Sequence, residues 1–228
     1  MTQEMIAYYA QRAAEYERTY AIPRWQDDLA WLRTRMPAFF AGRRVLEVAC
    51  GTGYWTRVAA ERASAVHATD VNDDTLALAR GKTYGTAVTF ERRDAYAPAA
   101  GPARHDAGLA ALWLSHVDLA RMDAFLRGFH GRLEPGAPVF MFDERASEER
   151  RTPPSRVDDA GNRYEMRRLA GGEQRFEIVK NLLDRDALTP SSPRTRPTWS
   201  TASCAASGCS STASADQPSI AFEIVAMR

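Results

Sequence analysis

The chain has 228 residues, 45% of them hydrophobic, which is enough for one ordinary α/β domain with a full core and too few for two large ones. The 30 Lys and Arg against 29 Asp and Glu leave a formal charge of +1, so no electrostatic excess drives non-specific binding to nucleic acid or membrane, and a small-molecule partner is favoured. No apolar run of signal-peptide or membrane-span length is found, so a cytoplasmic location is expected; Cys50, Cys204 and Cys209 and the scattered His67, His105, His116 and His130 match neither a disulfide framework nor a metal site, so no metal is expected.

Residues 1–41 read as a helical cap, with Ile6, Tyr9, Ala13 and Tyr16 on one stripe, then Pro23 opening a second helix that carries Trp25, Leu29, Leu32 and Met36. Arg44 to Ala49 is apolar apart from Glu47, is too short for a helix and runs into Gly51 and Gly53, the pattern of a buried parallel strand. Strands then follow at Ala65 to Thr69, Ala87 to Glu91, Asp106 to Leu112 and Ala137 to Phe142, with helices at Tyr54 to Arg62, Asp73 to Lys82 and Leu119 to Leu133. This alternation predicts a Rossmann-like, doubly wound, mostly parallel α/β sheet whose ligand crevice lies at the carboxyl ends of the strands.

Residues 145–183 form a charged connection containing Pro153-Pro154 and a β-hairpin, Arg163 to Leu169 and Arg175 to Lys180, read either as an extension of the sheet or as a cover for the site. A local basic patch around Arg150, Arg151, Arg156, Arg167 and Arg168 is the one feature that leaves nucleic acid open as a partner, against the overall charge balance. From Thr189 to Ser219 the text is rich in Ser, Thr, Ala and Pro and cannot bury much apolar surface. Two readings of the tail 189–228 stand. Permitted codons for Ala206 to Ala213, read one nucleotide earlier, give Phe-Trp-Leu-Leu-Val-Tyr-Arg, so a reading-frame change beginning between about Leu188 and Arg196 would leave the sheet without its C-terminal strands. Alternatively the tail is genuine and Ile220 to Met227 supplies the last strand.

The chemistry concentrates at the strand ends. Gly51 and Gly53 let the backbone turn sharply and approach a ligand with no Cβ in the way. A dehydrogenase fingerprint wants a third glycine where Thr56 stands, and has no use for an acid at Glu47. A ligand carrying an ammonium does need that acid. Asp70 closes the second strand, where its two oxygens can accept from the two hydroxyls of a ribose; Asp94-Ala95 follows the third, where a carboxylate and a backbone amide can meet an adenine edge. Either aspartate alone reads more readily as a helix cap.

With Glu47-Val48-Ala49-Cys50-Gly51-Thr52-Gly53 (E-x-x-C-G-T-G), Ala68 to Asn72, Arg93-Asp94-Ala95 and Trp113 to Val117 in this order, the chain from about Tyr8 to Leu188 resembles the class I S-adenosylmethionine (SAM)-dependent methyltransferases of the small-molecule group. The resemblance implies a methyltransferase domain over 1–188, with 42–144 as the SAM-binding core. It implies SAM contacts at Glu47, Ala49, Gly51, Gly53, Asp70, Val71, Asp94, Ala95 and Leu112, and from the first helix, which carries Tyr8, Tyr9 and Tyr16, at Tyr8 and Tyr16, where a ring beside a sulfonium makes a cation–π contact; rings that cover the helix's apolar face are the alternative. The reaction it implies is in-line methyl transfer to an oxygen or nitrogen of a small molecule, by a monomer or homodimer. Should a base be used, His116 has a suitable ordinary pKa and Asp143 could orient it or the substrate; a loop hydrogen bond is the alternative role for His116. A chain that binds SAM but is catalytically impaired, with an altered C-terminus, is the second reading.

Overall fold

A computed structural model describes residues 1–97, 104–144, 153–169 and 172–182 in full, and the backbone of 222–227. The chain opens with α1 (Gln3–Arg12), whose first turn is closed by the Thr2 side chain accepting from the Met5 N–H. A 3-10 segment (Ala13–Ala21) and a short turn begun by Pro23 lead into α2 (Gln26–Phe39). The expected helical cap is thus present, but its two α-helices are separated by a 3-10 stretch. Leu29, Leu32 and Met36, spaced to share one face of α2, are fully buried.

Strands β1 (Arg44–Val48), β2 (Ala65–Asp70), β3 (Ala87–Arg92), β4 (Ala107–Ala111) and β5 (Val139–Glu144) follow, with α3 (Tyr54–Ala59), α4 (Asp73–Arg80) and α5 (Met122–His130) between them. All pairings are parallel, and β9 (Phe222–Met227) joins β5, giving the order β3-β2-β1-β4-β5-β9. The alternation of side chains sorts the core into two layers. Val45, Phe140 and Phe142 face α2 and α3, while Leu46, Val48, Val139 and Met141 face Phe125 and Phe129 of α5. The chain winds outward through β1, β2 and β3, then returns to place β4 on the other side of β1. This reversal leaves a crevice beyond the carboxyl ends of β1 and β4.

A second, antiparallel sheet contains β6 (Arg156–Val157), β7 (Arg163–Arg168) and β8 (Arg175–Val179). The hairpin is where the alternation placed it; β6, two residues long, carries too little pattern to be anticipated. Phe176 and Ile178 of β8 pack on Met5 and Tyr8 of α1, and the Glu177 N–H donates to the Glu4 carboxylate at 2.6 Å. The hairpin and the N-terminal helix therefore form one joint cover over the main sheet.

The strand expected over Ile220 to Met227 is present as β9, so the sheet does not end at β5. Residues 183–221, where the proposed frame change falls, and 145–152, which hold most of the connection together with Arg150 and Arg151, lie outside the described residues. No helix among the described residues is long and apolar enough to cross a membrane.

Candidate active site

The crevice is floored by the turn after β1, walled by the segments after β2 and β4, and roofed by Tyr9, Tyr16 and Tyr20. At its floor Glu47, the penultimate residue of β1, is 1% exposed. Neither of its oxygens has a hydrogen-bonding partner, and the Thr56 hydroxyl faces it without completing a bond. Burial pushes this carboxyl up to about 8, Thr56 opposing the shift and Asp70 adding to it.

Beyond Val48 the backbone enters the left-handed region at Ala49 (φ 53°), Gly51 (φ 56°) and Gly53 (φ 78°). Ala49 has no glycine's licence for that conformation, which costs about 1–2 kcal/mol. Leu112, directly after β4, is left-handed as well (φ 55°). The two strained residues thus sit at adjacent strand tips and both line the crevice. A Cβ on Gly51 would meet nothing within 4 Å, so its open face is available to a ligand, whereas one on Gly53 would lie 2.5 Å from the Tyr84 hydroxyl.

Asp70 is fixed by two backbone amides, Oδ2 accepting from Gly51 and Oδ1 from Asn72, both at 2.9 Å. Burial raises its pKa and these amides hold it back. Asn72 caps α4 through Oδ1, and its Nδ2 donates to the Ile6 carbonyl at 3.0 Å, tying the roof to the wall. A second tie runs from the Thr52 hydroxyl to Glu17 (2.6 Å), which is also paired with Lys82.

At the opposite end, His116 is buried between three elements. Its Nδ1 lies 2.7 Å from the Val179 carbonyl and its Nε2 2.9 Å from the Tyr9 hydroxyl. Burial, reinforced by the nearby Lys180, pulls its pKa down to about 3. Burial also pushes the Tyr16 hydroxyl up to about 12 and the Tyr9 and Tyr20 hydroxyls up as well, so the roof presents neutral, electron-rich rings.

Comparison with known proteins bears on this arrangement. A family model described as a methyltransferase domain matches residues 45–136, from β1 to the turn before β5. The solved DhpI–SAM–HEP complex is 30% identical over 82% of this chain and 84% of its own, with a TM-score of 0.67. The chain belongs to the class I SAM-dependent methyltransferases. The DhpI–SAH complex agrees, at 28% identity over 82% of each chain and a TM-score of 0.64. No curated protein matches the sequence.

The residues present fit a methyltransferase's cofactor on the molecule's own terms. An unpartnered buried carboxylate at Glu47, an open backbone at Gly51 and a fixed acceptor at Asp70 are what an ammonium, a close-lying tail and a ribose require. Glu47, Ala49, Gly51, Asp70, Val71, Ala95, Leu112, Tyr16 and His116 all line the crevice. Gly53, also expected as a contact, lies outside the lining and shapes the turn from behind, against Tyr84 and Ala79.

Three further expectations need correction. Tyr8 lies outside the lining, buried with Met5, Phe176 and Ile178, because neighbouring helical residues point about 100° apart and β8 takes its side of α1. Its neighbour Tyr9 faces the crevice instead. Asp94 is exposed and outside the lining; its Oδ1 accepts from the Tyr96 N–H at 2.9 Å and closes the turn after β3. Asp143 does not orient His116: it accepts from the Ser115 N–H at 2.8 Å, and Val179 is the imidazole's partner.

Sequence reasoning missed Tyr20, Trp55, Asn72, Arg93 and Trp113 in the lining. Asn72, Arg93 and Trp113 fall inside the segments that carry the family resemblance, but no role in the lining was assigned to them; Tyr20 and Trp55 gave no signal. Cys50 is a small buried thiol whose pKa burial raises, and it too lines the crevice. No group of metal-binding side chains occurs among the described residues.

Proposed function

We propose that this methyltransferase moves the methyl group of SAM to an oxygen or nitrogen of a small-molecule acceptor by in-line displacement. The observation that carries the cofactor's placement is Glu47: two carboxyl oxygens buried without partners at the crevice floor are an acid that a bound cation would ionise and complete. The DhpI relative was solved in complex with SAM and with SAH, which supports SAM as the cofactor.

SAM supplies a methyl carbon already activated by a sulfonium. The chain's own work is then alignment and exclusion of water. In this reading Glu47 holds the amino group of the methionine tail, Asp70 accepts from the ribose hydroxyls, and the turn from Ala49 to Gly51 carries the tail between them. Leu112 and Val71 cover the adenosyl group, and the tyrosine roof keeps solvent from the reacting end.

Calorimetry with SAM and SAH tests the cofactor site, and SAH formation over a panel of small alcohols, phenols, acids and amines tests the transfer. Binding with SAH formation on at least one acceptor is the expected result. Binding without turnover on any acceptor would point to the catalytically impaired reading, and failure to bind either compound would remove both.

A further inference from the structure

We propose that His116 is a positioning residue rather than a general base: the hairpin locks its tautomer, and its Nε2 fixes the Tyr9 hydroxyl in the wall of the crevice as a group that can only accept hydrogen bonds from a ligand. The inference rests on the methyl-transfer reading of this site, but it concerns protons on two side chains of the empty protein and can be tested without an acceptor.

A backbone carbonyl can only accept, so the 2.7 Å contact with Val179 puts the imidazole proton on Nδ1. Nε2 of the neutral ring is then an acceptor, and the Tyr9 hydroxyl 2.9 Å away must donate to it. A phenol has one proton. With it committed to His116, the Tyr9 oxygen offers an incoming molecule lone pairs only, and an acceptor with its own O–H or N–H is the chemistry that meets them. The electrostatic surroundings keep the pair neutral. Lys180 from the end of β8 and Arg167 from β7 both oppose an imidazolium, with Asp143 at the end of β5 the one carboxylate acting the other way. On the Tyr9 side stand Tyr8, Tyr16, Arg12 and Arg167, and burial keeps the phenol protonated.

Three segments distant in sequence meet in this chain of bonds: α1 through Tyr9, the turn after β4 through His116, and β8 through Val179. The same turn is held again by the Asn181 N–H on the Ser115 carbonyl (2.7 Å) and by Lys180 Nζ on the Ser115 hydroxyl (2.8 Å). The hairpin therefore sets where Tyr9 stands. In a reaction served this way the methylated acceptor keeps its proton until it leaves the crevice and loses it to bulk solvent, and His116 never takes it.

Nitrogen NMR of the imidazoles in the full chain, alone and with SAH, decides the point. The expected spectrum shows His116 protonated on Nδ1 and bare on Nε2, with no titration between about pH 5 and pH 9. In Tyr9→Phe the tautomer stays and the Nε2 resonance moves towards that of an unbonded ring nitrogen. An imidazole that titrates near its ordinary value, or that carries its proton on Nε2, overturns the proposal whether or not SAH binds. With any acceptor found in the panel, H116Q, whose amide oxygen can take the Tyr9 proton, keeps kcat within a few-fold while H116L loses about tenfold, both with the wild-type pH profile. Equal loss in both variants with disappearance of a pH limb overturns it too.

Discussion

The sharpest consequence of the crevice floor is that Glu47→Gln should stabilise the empty protein while it destroys cofactor affinity. In the unfolded chain this carboxyl titrates near 4.5, and in the folded protein near 8. Between those values the unfolded chain is ionised while the folded protein still holds the proton, so stability falls as pH rises through this window and levels off above about 8. A gap of that size corresponds to roughly 5 kcal/mol at its upper bound. Glutamine removes the titration but leaves a buried amide short of partners, at a cost of about 1–3 kcal/mol, so a net gain of about 2 kcal/mol is expected at pH 8. For a chain of this length that is a rise in Tm of about 4–8 °C. Binding moves the opposite way, SAH affinity dropping roughly 10- to 100-fold with the loss of a charge-assisted bond. In the wild type the bound ammonium needs the ionised acid, so close to one proton is released per SAH at pH 7, and Kd tightens by up to about tenfold per pH unit below 8. Scanning calorimetry without ligand and titrations in two buffers of different ionisation enthalpy read both effects. A variant that melts below wild type at pH 8, or binding with no proton release, would refute the placement of Glu47 as a buried acid awaiting a cation.

Gly53→Ala should lower Tm by about 5 °C in thermal melts and weaken SAH binding, since its Cβ would press on the Tyr84 hydroxyl in a left-handed backbone; unchanged melting would mean the loop relaxes freely. Asp70→Ala removes both the carboxylate at the tip of β2 and the partner of the Gly51 and Asn72 amides, so SAM affinity is expected to fall by about 100-fold or more in calorimetry. Asn72→Ala breaks the bond to Ile6 and the α4 cap, and hydrogen exchange over residues 3–21 should accelerate together with SAH dissociation; faster exchange confined to α4 would show that the roof is held by its other ties.

Much of this architecture is legible from the residues because its signals are local. Short apolar runs ending in glycine or aspartate mark buried parallel strands, and β1, β2 and β3 fall within a residue of where they were expected. Glu47, Gly51 and Asp70 are readable for the same reason: each occupies a strand end, where an acid or a glycine has few structural duties. What is not legible depends on partners far away in sequence. Whether Tyr8 or Tyr9 faces the crevice is decided by where β8 packs on α1, and no periodicity within residues 3–12 contains that information. Asp94 has the same chemistry as Asp70 and the same bond from the amide two residues on, yet it is exposed and stands outside the crevice lining. The left-handed Ala49 and Leu112 carry side chains that give no warning of their backbone. His116 offers an ordinary imidazole on paper, and its neutrality comes from burial between α1 and β8.

The joint roof also dictates an order of assembly. Tyr9 meets His116 across 107 positions of chain and Glu4 meets Glu177 across 173, whereas the strands that frame the floor are made of neighbouring units. During synthesis the β1 to β5 core can collapse while α1 is held only by its bonds to Asn72 and His116, and the helix face that carries Met5 and Tyr8 is covered only after β8 has left the ribosome. A nascent chain stalled before about residue 175 would carry a formed floor open to water, so competence to retain SAH should switch on late and abruptly as translation proceeds.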